Sequence, residues 1–204
     1  MHRTMKFAVL FVTLLAGFQF LFAGNGNACA CCANPGDRYV SSKNIDAHER
    51  DILNSFKFSV TAHVSGEQDP EDIRGVTLKS HELTVQVERT PKLWTFSLND
   101  GAGNSGRLFF SLPSRIRLFQ VDTHSSFGRK SAGGGPLLYK EWKLITKARG
   151  TGMFAGSVGG KQRAALIFHG RGNHCPNPED FTAWTLVLYG PKAEVTFFGK
   201  LMKQ

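Results

Sequence analysis

The side chains best equipped for chemistry gather in residues 164–190, AALIFHGRGNHCPNPEDFTAWTLVLYG. Two strand-like runs, 164–168 and 182–189, flank a polar insert holding His169, Arg171, Asn173, His174, Cys175 and Asp180. Gly170, Gly172, Pro176 and Pro178 let the backbone bend there, so the spacing predicts a loop over 169–181. Loops held between rigid strands are where binding and catalytic groups concentrate. An imidazole, a guanidinium and a carboxylate together suit an anionic or sugar-like ligand. Trp142 and Trp184 lie in alternating segments nearby, so the expected pocket is lined by inward aromatics and bordered by His169, Arg171, Asn173 and Asp180. Hydrolysis would need more: a nucleophile, or paired carboxylates at a definite separation. A hydrolase reading therefore requires His169 and Asp180 to share one cleft with a third group. In the plainer account Asp180 caps a turn and Arg171 bridges to it.

A second gathering lies near the start, in Cys29, Cys31 and Cys32. Thiolates this close can bind a soft metal such as copper or zinc, with His174 and Cys175 completing the set if the ends meet. The spacing is not Cys-x-x-Cys, so the usual oxidoreductase arrangement is missing. Four cysteines in an exported chain point first to disulfides. Cys31 and Cys32 are neighbours, and a ring between neighbours is strained. Pairing Cys175 with Cys31 or Cys32 closes a loop of about 145 residues, worth ~4–5 kcal/mol in the chain-entropy description.

Export is read from the first 28 residues. Arg3 and Lys6 precede an apolar run over 7–22, which is followed by the small, polar stretch 23–28. A charged start, a greasy middle and a small-residue exit make a cleaved signal peptide. The run is about 16 residues, short of the roughly 20 that span a bilayer. No later segment could serve as an integral membrane span. Cleavage after Ala28 leaves Cys29 first, and lipid attachment there is the minority alternative, since Gly26 stands where such signals carry a leucine-like residue. The expected location is secreted or periplasmic. Loss of Arg3 and Lys6 lowers the formal charge from +9 to +7. That excess favours anionic envelope components over nucleic acid, for which an exported chain without a binding motif has little use.

The elements that must position these groups are mostly strands. One short helix is predicted over 41–54, capped by Asn44, with Ile45, Ile52 and Leu53 as its apolar stripe. From Phe56 the period changes to two: Phe56, Phe58, Val60, Ala62 and Val64 alternate with polar residues. The pattern recurs over 83–87, 94–98, 107–112, 116–121, 137–146, 164–168, 182–189 and 194–198, with a short glycine-interrupted run at 150–154. Pro113-Ser114 and Gly190-Pro191 punctuate it. With about 9–10 strands and no crossover helix, the sheet must be mostly antiparallel. The fold class is all-β, a barrel or a strongly curved sheet or sandwich, and closure is favoured because it removes exposed edges.

Familiar signatures fail on inspection. His48-Glu49 and His81-Glu82 lack the second histidine of a zinc-protease helix, since Ile52 and Val85 stand in its place. Three divisions follow: a signal peptide (1–28), a cysteine-bearing segment with a short helix (29–55), and an antiparallel β domain (56–204). The function expected is non-catalytic binding of a small amphipathic or anionic ligand, or of an envelope component, with no cofactor. A copper- or zinc-binding periplasmic protein and a hydrolase built on the 169–181 loop are the alternatives. The sequence does not specify an oligomeric state.

Overall fold

The structure is a computed structural model that describes residues 35–65, 73–122, 138–173 and 175–203, with Asp122 described by its backbone alone. Ten strands and one helix follow in order: β1 (Ser41–Asn44), α1 (Ala47–Ser55), β2 (Lys57–Val64), β3 (Glu82–Arg89), β4 (Trp94–Asn99), β5 (Ser105–Phe110), β6 (Arg115–Asp122), β7 (Leu138–Gly152), β8 (Arg163–Gly172), β9 (Phe181–Tyr189) and β10 (Glu194–Met202). Every pairing is antiparallel, and the order β7-β5-β4-β3-β2-β10-β9-β8 returns to β7, closing an eight-strand barrel.

Closure depends on the length of β7. One edge pairs with β8 from Leu138 to Lys147. The other pairs with β6 over its first residues (Arg117↔Lys143) and with β5 over its last (Phe110↔Ala148). β5 and β6 are thus one long path broken at residues 111–114. Pro113 has no N–H to give the ladder, and the chain leaves the sheet around it. Beyond the break β6 carries β1 on its far edge. The run expected at 150–154 is the tail of β7, because Gly150 and Gly152 pair with Leu108 and Gly106.

Alternation fills the interior. Trp94, Phe96, Leu108, Phe110, Trp142, Leu144, Leu166, Phe168, Trp184, Leu186 and Phe197 are all buried. Phe58 sits among them, its ring 5.3 Å from Phe96, 5.7 Å from Trp184 and 6.2 Å from both Trp94 and Phe168. An eight-strand barrel can be filled by its own side chains, and here aromatics on facing strands meet across it. One end is covered by α1, whose Ile52 and Leu53 are buried while Phe56 reaches Phe168 (4.5 Å) and Phe181 (5.4 Å).

The helix begins later than the sequence suggested. Asp46, not Asn44, is its N-cap: its carboxylate accepts from the Glu49 N–H, and the Glu49 carboxylate accepts from the Asp46 N–H, both at 3.1 Å. That reciprocal pair satisfies two end donors at once. Residues 41–44 are freed to pair with β6 as β1. Among the described residues, no helix is long and apolar enough to cross a membrane.

Candidate functional site

The residues singled out in the sequence do not form one site. β8 separates them. It continues through residues 169–172, expected as loop, because β7 offers partners as far as Leu138↔Gly172. Gly170 and Gly172 face one side of β8, while His169 and Arg171 face the other.

On the glycine side stands Asp180, at the end of a 3-10 turn, Pro178–Asp180. A Cβ on Gly172 would lie 1.8 Å from the Asp180 carboxyl carbon, and one on Gly170 would lie 1.9 Å from its carbonyl oxygen. The absence of side chains there lets the 3-10 turn fold against the strand. Asp180 then meets Lys140, whose Nζ is 2.6 Å from Oδ2 and fully buried, and which also donates to the Cys175 carbonyl at 3.2 Å. Lys140, rather than Arg171, is the bridging partner. Arg171 and Asn173 are exposed.

On the other side, His169 lies opposite Glu141 in the β7–β8 register, with Nε2 3.4 Å from Thr185 Oγ1. Burial holds its pKa below the usual imidazole value, against the pull of the Glu141 carboxylate. His169 and Asp180 therefore do not share a cleft, which is the geometry that the hydrolase reading requires. Trp142 and Trp184, expected to line a pocket, are core residues at 1% and 0% exposure, in ring contact with Phe181 (4.8 Å) and Phe96 (5.5 Å) respectively. Among the described residues these inward aromatics pack on one another.

Sequence reasoning missed Glu141. It is 1% exposed although it faces outward, because residues 35–38 are laid over it. It accepts from the Gly36 N–H (2.9 Å), from Arg38 (2.9 Å) and from the Tyr139 hydroxyl (2.7 Å). Arg38 also lies 5.2 Å from the Phe119 ring centre and 5.3 Å from that of Tyr139. Lys143 donates to the Gly36 carbonyl, so the segment is fixed from two sides. This is a clasp: the carboxylate is fully used in holding chain to barrel. The only sequence signal was a carboxylate in a strand two residues from a tyrosine.

A third arrangement lies where β5 and β6 part. The break leaves an open groove of about 390 Å³ lined by Leu93, Phe109, Ser111, Thr146, Lys147 and Arg149, with Phe110 and Ala148 at its base. Phe109 stands directly opposite Arg149, and Lys147 directly opposite Arg163 on β8. Lys147, Arg149 and Arg163 are exposed, and among the described residues none has an acidic partner. Like charges facing one another across a strand pair destabilise a sheet. Two of these cations, Lys147 and Arg149, stand beside a half-buried leucine and phenylalanine and make a cationic rim on an apolar floor, with Arg163 facing Lys147 from β8.

The thiol reading falls mostly outside the described residues, since Cys29, Cys31, Cys32 and His174 lie there, as does the stretch expected to be a signal peptide. Cys175 is exposed. Among the described residues, no three His, Cys, Asp or Glu side chains are grouped to hold a metal ion. Comparison with protein-family models, with curated proteins and with solved structures gives no match.

Proposed function

We propose that this chain is an exported, non-catalytic β-barrel domain that binds a small anionic amphipath, and that it does so in the outer groove beside β5 and β7. The observation that carries the reading is the groove's pair of cations, Lys147 and Arg149, without acidic partners among the described residues, beside Leu93 and Phe109, with Arg163 facing Lys147 from β8. A phosphate or carboxylate head would relieve the repulsion between Lys147 and Arg163, and its alkyl part would cover the phenylalanine. The packed interior argues for an outside site. The 1–28 segment as a cleaved signal, and a bridge from Cys175 to Cys31 or Cys32, belong to the same reading; the mass of the exported protein before and after reduction tests both.

Calorimetric titration with dodecyl phosphate tests the groove. Binding should be salt-sensitive, and K147E/R149E should weaken it by about tenfold or more, each cation contributing ~1 kcal/mol. Binding that the double substitution leaves unchanged would refute the assignment, as would no binding at all.

A further inference from the structure

A different face of the barrel exposes apolar side chains for which the fold has no use. Alternation along β2 from Phe58 to Ala62 should carry Val60 inward, yet Val60 is 69% exposed. The cause is a register shift. β10 pairs Gly199 with Ala62 and Leu201 with Phe58, so β2 advances four residues while β10 advances two. A bulge of this kind re-aims a side chain, and here it turns a valine into water. On β10 the outward positions 198, 200 and 202 are Phe198 (41% exposed), Lys200 and Met202 (55%). His63 pairs with Phe198 in the ladder and stacks at 5.5 Å, while Lys57 pairs with Met202.

Three exposed large hydrophobics therefore share one strand pair with Lys57 and Lys200, and Lys203 follows directly. All three lysines are exposed, and none has an acidic partner among the described residues. Apolar side chains standing singly on a surface are ordinary; three interleaved with lysines on one face are a pattern. We infer that this β2–β10 face docks on a lipid bilayer bearing anionic head groups, with Val60, Phe198 and Met202 entering the interface and the lysines resting on phosphates. Insertion of apolar groups and attraction to anionic lipid are the two forces that hold a protein at a membrane surface.

Two observations favour lipid over a protein partner. β10 pairs with β2 on one side and β9 on the other over Phe197–Gly199, so the strand that carries Phe198 offers no open edge there for an added strand. The apolar groups are spaced among cations and do not form the dry centre with a polar rim expected of a protein interface. The face also lies across the barrel from the groove, since β2–β10 and β5–β7 are opposite in the closed ring. The two proposals therefore stand or fall separately.

Sedimentation of the full chain with vesicles tests the inference. Vesicles of phosphatidylglycerol and phosphatidylcholine in equal parts are compared with phosphatidylcholine alone, and the ratio of the two affinities is the readout. K57E/K200E should lower that ratio by about tenfold or more, and V60S/F198S should lower binding to the mixed vesicles. K92E, a charge reversal at an exposed site on the β3–β4 turn, should change neither, and thermal unfolding confirms that each variant is folded. A ratio near unity for the unsubstituted chain would overturn the inference, as would either double variant binding mixed vesicles as the parent does.

Discussion

Glu141 shows how much a single buried carboxylate can hold. Gly36, Arg38 and Tyr139 all donate to it. Glu141→Gln removes the charge but keeps the shape, and should destabilise the fold by about 3–5 kcal/mol in urea titration, the range for breaking one side of a buried ion pair. The neighbouring His169 gives a pH signature. Burial depresses its folded pKa, so the unfolded chain takes up the proton first as pH falls. Its contribution to stability is complete above the unfolded value near 6.5 and declines below it. His169→Gln should flatten that part of the stability profile. Asp100 acts in a lower window. Burial alone would raise its carboxyl, but the Asn104 side chain and the N–H groups of Ala102, Asn104 and Lys79 bring it to about 2. Its stabilisation is full above the unfolded value of 3.8 and is lost as pH falls towards 2, so Asp100→Asn should remove that stretch of the acid limb.

At the scale of elements, period-two alternation made the strands legible from Phe56 onward, because water on one side and core on the other impose it directly. Their ends were less legible. β8 runs through His169-Gly-Arg-Gly only because β7 continues opposite, and no residue within 169–172 announces that partner. The two glycines there looked like loop chemistry; they are instead room for Asp180. Gly172→Ala should therefore push the 3-10 turn off the strand and cost about 1–3 kcal/mol, with Lys140 left short of its carboxylate. An equal loss from Gly156→Ala, at an exposed turn with open space around it and no left-handed backbone, would show that the effect is generic to glycine. Lys140 itself was readable in part: it follows the inward rhythm of Trp142 and Leu144, where a lysine demands a counterion. The candidate site was not readable, since the groove comes from the β5–β6 break and its apolar residues, Leu93 and Phe109, lie far in sequence from Lys147 and Arg149.

At the scale of the whole molecule, closure and a packed interior determine where a ligand can go. The eight strands turn their aromatics inward, and those side chains occupy space that a barrel of this size could otherwise offer to a small guest. What the chain presents to others is its outer surface, and the formal charge of the chain is positive, +9 over its whole length. The account is tested most directly by following backbone amide shifts as dodecyl phosphate is added. The shifts should concentrate at Phe109, Thr146, Lys147, Arg149 and Arg163, leaving Trp94 and Trp184 in place. Shifts centred on those two tryptophans, or none at the groove, would contradict it.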